Sequence, residues 1–417
     1  MRFVATADWQ LGMTAHFLPP DARARFHQAR FDAIRAIGRV ASERGASFVL
    51  VCGDVFESNH LDRAVLSRAF EALRDVSVPV WLLPGNHDPL DAASIFDSDQ
   101  FRDMCPEHVH VLRTPGTHQV LPGVEVVAAP WSSKRPVTDL VADACGSLRR
   151  CDDVLRVVAG HGATDAFGFD SDNPATIRLA ALRKAIDDGC VQVAILGDRH
   201  STTRLARDVW YPGAPEVTDR RETDPGNVLV VDVEQSGVVH VETVHTGQWR
   251  FLRTHRHLGS GADVDLLREW LAAQPAKERT AVWLSLEGTL SLTESAALDA
   301  ALADASDLYA HVVVWSPSTD LHVLPDDEDM TQLGLTGFAA QTLTDLCAAL
   351  GACAEVPPSA DTAEPADGGA GSDGAASAGL AIPLPRAALG RAERELDDPD
   401  VAQAALGLLY RLAGGSR

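Results

Sequence analysis

The sequence contains no apolar run approaching the roughly 18 to 20 residues of a membrane span, which excludes an integral α-helical membrane protein. Met1 leads directly into a strand-like segment, Arg2 to Thr6, with no basic stretch followed by an apolar one, so a cytoplasmic protein is expected. The seven cysteines (Cys52, Cys105, Cys145, Cys151, Cys190, Cys347 and Cys353) are scattered and form no C-x-x-C pair. That pattern gives neither a disulfide framework nor a zinc ribbon and fits a reducing compartment. Positive charge is also scarce, with 36 Lys and Arg against 59 Asp and Glu and a net charge of −23. Such a balance argues against a protein that holds nucleic acid by its own surface, because neutralised phosphates supply most of that affinity. What the chain does have is length and apolar content: 417 residues, 46% of them hydrophobic, enough for two or three packed domains and too apolar for disorder throughout.

The negative charge is unevenly spread. Residues 1–250 carry 26 basic and 34 acidic side chains, residues 251–353 carry 5 and 15, and residues 354–417 carry 5 and 10. The first segment has a rhythm of short β-branched runs (Phe3–Ala5, Phe48–Val51, Val80–Leu83, Val124–Val127, Val157–Ala159 and Val193–Leu196), most of them followed by a helical stretch. Runs so short and continuous suit strands buried on both faces of a layered α/β domain. From Asn227 to Thr246 strand follows strand, so antiparallel strands close this domain. Residues 251–353 read as helix, strand, helix, strand, helix, a smaller α+β domain. Residues 354–379 are Ala, Gly, Ser, Pro and acidic residues, which cannot offset the entropy of ordering and read as a flexible, disordered linker. Within 380–417, Pro399 to Ala413 place Val401, Ala405, Leu408, Leu409 and Leu412 on one helical face. Two readings stand for that face: packing on the body of the chain, or docking to a partner.

Five short motifs stand at or just after the strand ends: Asp8-Trp9-Gln10, Gly53-Asp54, Gly85-Asn86-His87-Asp88, Gly160-His161-Gly162 and Gly197-Asp198-Arg199-His200. Ligands of α/β proteins gather at the carboxyl ends of strands, where tight glycine-containing loops aim side chains into one crevice. The set is mixed oxygen and imidazole, suited to divalent metals. Two metals about 3.5 to 4 Å apart need a carboxylate between them and further ligands on each side. Asp54, at the end of a buried apolar run, is the best candidate for that bridge. Any one motif occurs by chance; the ordered set of five is specific. Only three of the fifteen histidines fall inside it, and the others, His16, His60, His245 and His255 among them, read as surface or packing residues.

This order and spacing resembles the calcineurin-like metallophosphoesterase superfamily, and within it the SbcD-like DNA repair nuclease subunits. The closer resemblance rests on Ala7 to Gly12 (A-D-W-Q-L-G), Gly53 to Phe56 (G-D-V-F), Leu83 to Asp88 (L-P-G-N-H-D) and Trp210 to Glu216 (W-Y-P-G-A-P-E). It covers roughly residues 1–250 and is architectural for 251–353, where the family places a cap domain. The resemblance implies a four-layer αββα sandwich with a smaller α+β cap and a flexible C-terminal tail. It implies one metal held by Asp8, Gln10, Asp54 and His200, and a second held by Asp54, Asn86, His161 and Asp198. It makes His87 the residue that protonates the leaving oxygen or orients the phosphate, with Asp88 orienting the His87 imidazole through a hydrogen bond. It further implies a DNA substrate, a homodimer, and an SbcC-like coiled-coil ATPase gripped by the C-terminal helix.

Two positions depart from the family. Gln10 and Asp198 stand where relatives have histidine, replacing imidazoles with oxygen donors and favouring Mn²⁺ or Mg²⁺ over softer ions. Decay of the site is the competing explanation, although both replacements can still coordinate. Arg199, Arg204, Arg207, Arg220 and Arg221 cluster around the last motif and suit phosphate. In a chain with 33 Arg and only 3 Lys, they equally suit a solvated surface. Trp9 and Trp210 read as core residues before base-stacking ones. A metal-dependent DNA nuclease is the leading expectation, a stand-alone phosphodiesterase on nucleotides or small phosphoesters the second, and a catalytically silent DNA-end or ATPase adaptor the third.

Overall fold

The structure is a computed structural model that describes residues 1–168, 173–326, 329, 338–349, 401, 405, 406, 408 and 409. The expected linker at 354–379 and most of 380–417 lie outside the described residues. In chain order the elements are β1 (Arg2–Thr6), α1 (Pro20–Glu43), β2 (Val49–Cys52), α2 (Arg63–Arg74), β3 (Val80–Leu83), α3 (Asp99–Met104) and β4 (Val109–Val111). Next come β5 (Gly116–Leu121), β6 (Val124–Ala128), α4 (Leu140–Gly146), β7 (Leu155–His161), α5 (Leu179–Asp187), β8 (Val193–Gly197), β9 (Thr203–Ala206), β10 (Val209–Tyr211), β11 (Asn227–Val233) and β12 (Val239–His245). The remainder is β13 (Arg250–Leu258), α6 (Gly261–Ala273), β14 (Thr280–Leu290), α7 (Leu292–Leu308), β15 (His311–Val314), β16 (Asp320–Val323) and α8 (Phe338–Ala349).

Two six-stranded sheets, ordered β12-β11-β1-β2-β3-β4 and β5-β6-β7-β8-β10-β9, form the centre of the first unit. Strands β1, β2, β3 and β4 run parallel, as do β6, β7 and β8, while β11 and β12 add antiparallel at one edge. Side chains alternate along each strand, so a run of apolar residues serves two cores. Phe3, Ala5, Phe48, Leu50 and Cys52 face the other sheet, where they meet Val126, Val157, Val193 and Ile195. Val4, Val49 and Val51 face helices α1 and α2 through Ile34, Ile37, Leu66 and Phe70. On the far side, Val127, Val158 and Ala194 pack with Val141, Leu182 and Ala185 of α4 and α5. The result is the helix, sheet, sheet, helix layering. At the ends of the β-branched runs the chain turns, and those turns carry the five motifs.

The chain divides into two units: residues 1–253, 276–283 and 309–311, and residues 254–275, 284–308 and 312–417. The first unit thus takes two short pieces of the 251–353 segment. Within the second, α6 and α7 lie with most of a four-stranded sheet in which β14 pairs β16 in parallel. Leu406 is fully buried there among Leu292, Val323, Leu343 and Leu346, with Ala405 and Leu409 against them. Val401 and Leu408, expected on the same apolar face, are exposed. Among the described residues no helix is long and apolar enough to cross a membrane.

Candidate metal centre

The loops after β1, β2, β3, β7 and β8 are stitched together by backbone hydrogen bonds. Asp8 N–H donates to Gly53 O (3.0 Å), Gln10 N–H to Asp54 O (2.9 Å) and Gly162 N–H to Gly197 O (3.1 Å). Asp8, Gln10, Asp54 and Asp198 all adopt positive φ, at 54°, 43°, 51° and 94°. Left-handed backbone at non-glycine residues is costly and is kept where the surrounding structure enforces it, commonly at functional sites. The loops approach so closely that Gly85 has no room for a side chain: an added Cβ would lie 2.2 Å from Asp54 Oδ1 and 2.5 Å from Asp54 N. Gly85→Ala is therefore expected to displace the Asp54 carboxylate, cutting phosphoester hydrolysis at least 100-fold and lowering Tm by several degrees. Hydrolysis rates and a thermal melt check this, and a wild-type rate in the variant would contradict it.

Among the described residues, Asp8, Asp54 and His161 form the group of metal-ligand type whose donor atoms all lie within 4.8 Å of one another. All three are buried. His161 Nδ1–H donates to Cys52 O at 2.9 Å, which directs Nε2 toward Asn86 Oδ1 (2.7 Å) and Asp54 Oδ1 (3.4 Å). His200 is held in the same manner. Its Nδ1 meets Thr218 Oγ1 at 2.6 Å and Glu222 Oε1 at 2.9 Å, and its Nε2 faces the Gln10 amide (3.1 Å) and Asp8 Oδ1 (4.0 Å). A half-turn of the Gln10 amide brings its oxygen to the same space. Histidines that bind metal commonly have one ring nitrogen fixed by a carboxylate or carbonyl in this way.

The electrostatics of the site are set by its buried carboxylates. Burial pushes Asp8 up to about 6 against the pull of His200 and His161. Burial would also raise Asp54, but His161 and His87 hold it below the usual carboxylate range. Burial would lower the histidines, yet Asp54, Asp8 and Asp198 carry His161 well above its ordinary value, and Glu222 and Asp8 push His200 up to about 9. Asp8 and Asp54 thus draw protons onto the facing imidazoles, and among the described residues no Lys or Arg pairs with either carboxylate. Divalent cations would meet that demand, and these donors fit them.

Of the residues expected from sequence, Asp8, Gln10, Asp54, Asn86, His161 and His200 come together. Asp198 joins through its backbone, its N–H donating to both Asp8 carboxylate oxygens at 3.0 and 3.2 Å, while the residue itself is exposed. His87 stands at the rim, its side chain 39% exposed, with Nε2 4.0 Å from Asp54 Oδ2. The expectation for Asp88 is corrected. Its fully buried carboxylate accepts from Phe56 N–H (3.0 Å) and Gly85 N–H (2.7 Å), tying two loops together. The neighbour of the His87 ring is Glu57, whose carbonyl oxygen lies 3.0 Å and carboxylate 3.8 Å from Nδ1.

The arginines near the last motif are engaged with the chain itself. Arg199 lies over Phe167 and bonds Thr203, Arg204 lies over Trp210, and Arg220 lies over Trp283. Arg207 pairs with Asp208, and Arg221 with Asp219. Trp9 is buried in the core, and Trp210 is half-buried beneath Arg204.

Several supports escaped sequence reasoning. Arg30 of α1 is buried and donates to Trp9 O at 2.7 and 3.1 Å, fixing the peptide between Asp8 and Gln10. The Trp210–Glu216 stretch, marked by the resemblance without a role, braces two motif loops: Tyr211 O–H donates to Gly162 O (2.8 Å) beside His161, and Ala214 N–H to His200 O (3.0 Å). Glu216 accepts from Gln248 and Trp249 N–H. Thr218 and Glu222 carried no spacing signal at all.

Residues 1–184 match the family of calcineurin-like phosphoesterases. The match supports a place in the metallophosphoesterase superfamily, whose members use divalent metals. The chain carries the catalytic segment of a hydrolase acting on phosphoester bonds. It is similar to the uncharacterized metallophosphoesterase YhaO of Bacillus subtilis (strain 168), 24% identical over 304 residues, 70% of this chain and 68% of that protein. Among solved structures it is similar to TT1561 of Thermus thermophilus, with 12% identity, a TM-score of 0.37, and coverage of 59% of this chain and 98% of that one. It is also similar to the purple acid phosphatase PPD1 from yellow lupin (Lupinus luteus), with 13% identity, a TM-score of 0.34, and coverage of 59% and 53%.

Proposed function

We propose that the protein is a metal-dependent phosphodiesterase acting on DNA, with Mn²⁺ as the preferred ion, in the manner of an SbcD-like nuclease subunit. The observation that carries the phosphodiesterase reading is the convergence of five strand-end loops on Asp8, Asp54 and His161, with His87 at the rim. Asp8, Gln10, Asp54 and His200 would hold one divalent ion, and Asp54, Asn86 and His161 a second. Bound there, the ions supply positive charge to phosphoryl oxygens and lower the pKa of water. His87, half-exposed and beside Asp54, is positioned to donate a proton to a departing alkoxide, with the Glu57 carbonyl fixing its ring. Oxygen-rich ligation favours Mn²⁺. The DNA substrate, the homodimer and the coiled-coil ATPase partner are supported by the resemblance of Trp210–Glu216 and of the motifs before it to SbcD-like proteins.

One observation favours a stand-alone phosphodiesterase instead. Leu406 is buried within its own unit, so part of the C-terminal segment offered for docking is already packed. In Mn²⁺, wild type is expected to hydrolyse both bis-p-nitrophenyl phosphate and end-labelled linear DNA, and His87→Ala to lose at least 100-fold on each. Hydrolysis of the small ester without any DNA cleavage would favour the stand-alone reading. Hydrolysis of neither would favour the silent adaptor.

A further inference from the structure

A cavity of about 350 Å³ lies between the Leu11–His16 segment, α1 and α2, all within the first unit. Its charged lining is one-sided. Arg23, Arg30 and Arg68 stand on it against the single carboxylate of Asp62, with the imidazoles of His16 and His27 between them. On α1 the positions 23, 27, 30 and 31 share a face, as helical spacing requires. The guanidinium groups are fixed by bonds on one side: Arg23 Nη2 donates to His16 O (3.2 Å) and Leu18 O (2.8 Å), and Arg68 lies over the Phe31 ring at 4.5 Å. Two polar atoms remain. Arg23 Nε and His27 Nε2 are buried with no hydrogen-bond partner among the described residues. A buried donor left so is costly unless a ligand or solvent completes it. Burial depresses His27 below its ordinary value against the opposing pull of the Thr14 backbone, and Arg30, Arg23 and Arg68 each add to the depression, so all three cations act on one small volume.

We propose that this cavity is a second phosphate subsite, holding a phosphate of the substrate other than the one hydrolysed. Guanidinium groups that meet one carboxylate on the lining, an unpaired Nε donor on Arg23 and room for far more than one water molecule suit a phosphate group. Its place in the fold gives it that role. Leu11, on its wall, follows Gln10 directly, and Arg30 both lines the cavity and bonds the Trp9 carbonyl between Asp8 and Gln10. A nucleic-acid strand offers a phosphate on each side of the scissile one, whereas a simple phosphoester offers none, so the cavity would select for polynucleotide. The inference rests on the phosphodiesterase reading and extends it to substrate choice.

Two experiments on the full-length protein decide it. With divalent ions removed by chelator, inorganic phosphate is titrated by calorimetry into wild type, His27→Gln and Arg68→Gln, Arg68 being exposed and tolerant of change. Saturable binding in wild type, weakened at least ten-fold in both variants, is expected. Unchanged binding in both would overturn the proposal. With Mn²⁺, thymidine 5′-p-nitrophenyl phosphate is compared with the same ester carrying a 3′-phosphate. Wild type is expected to show at least a ten-fold lower KM for the second, an advantage lost in both variants while kcat for the first ester holds within two-fold. Equal KM values for the two esters in wild type would also overturn it. Hydrolysis of neither ester would sink the phosphodiesterase reading, while the phosphate titration still decides the cavity.

Discussion

Asp54→Asn is expected to cut hydrolysis of bis-p-nitrophenyl phosphate by at least 1,000-fold, about 4 kcal/mol in the barrier, while leaving the fold intact. The substitution keeps the size of the side chain and an oxygen that can still accept from His87 N–H at 3.0 Å. What it removes is a buried carboxylate that no Lys or Arg among the described residues pairs with, and the one best placed to serve both metals. The metal-free protein should melt within a few degrees of wild type. Excess Mn²⁺ raises the Tm of wild type through its preference for the folded state, worth about 4 kcal/mol at 1,000 times Kd, and should raise that of Asp54→Asn far less. Melts with chelator and with Mn²⁺, together with the rate, check both halves. A variant retaining a tenth of the wild-type rate would remove Asp54 from the centre.

Asp88→Ala is expected to be the most destabilising single change near the site. It would orphan the Phe56 and Gly85 N–H groups in a region closed to water. At about 1 to 3 kcal/mol for each unsatisfied buried donor, a loss of about 3 kcal/mol follows. For a domain of this size that is a drop in Tm of roughly 6 to 12 °C. Asp88→Asn should fall between, since its amide can accept at only one of the two positions. If instead Asp88 acted by orienting His87, Asp88→Asn would leave Tm unchanged and lower kcat alone. Chemical denaturation of the three proteins separates the two roles.

The strands were legible because their apolar runs are buried twice over, by the opposite sheet and by helices. Phe3-Val4-Ala5 and Phe48-Val49-Leu50-Val51 show the alternation residue by residue. Helices α6, α7 and α8 stand in the three stretches that read as helical. The ligands were legible because tight turns confine them to short motifs. Their supports were not, since Glu222 reaches His200 across 22 residues and Arg30 reaches Trp9 across 21, distances that no local pattern encodes. Asp88 was misplaced by its adjacency to His87. Neighbours in a sharply turning loop need not share a direction, and this one turns inward to the loop backbones while the histidine turns to the rim. Asp198 stands at the site through its backbone: at φ 94° its N–H serves Asp8, and the exposed residue acts on His161 through its charge. Among the described residues of the C-terminal segment, Leu406, absent from the expected apolar face, is the one that is fully buried.

The proposed chemistry requires that the convergent loops hold two divalent ions. Anomalous diffraction at the manganese edge from crystals of the full chain grown with Mn²⁺ tests this directly. Two peaks are predicted, one bounded by Asp8, Gln10, Asp54 and His200 and the other by Asp54, Asn86 and His161, with Asp54 common to both. No peak among these residues, or one that persists unchanged in Asp54→Asn, would contradict the account.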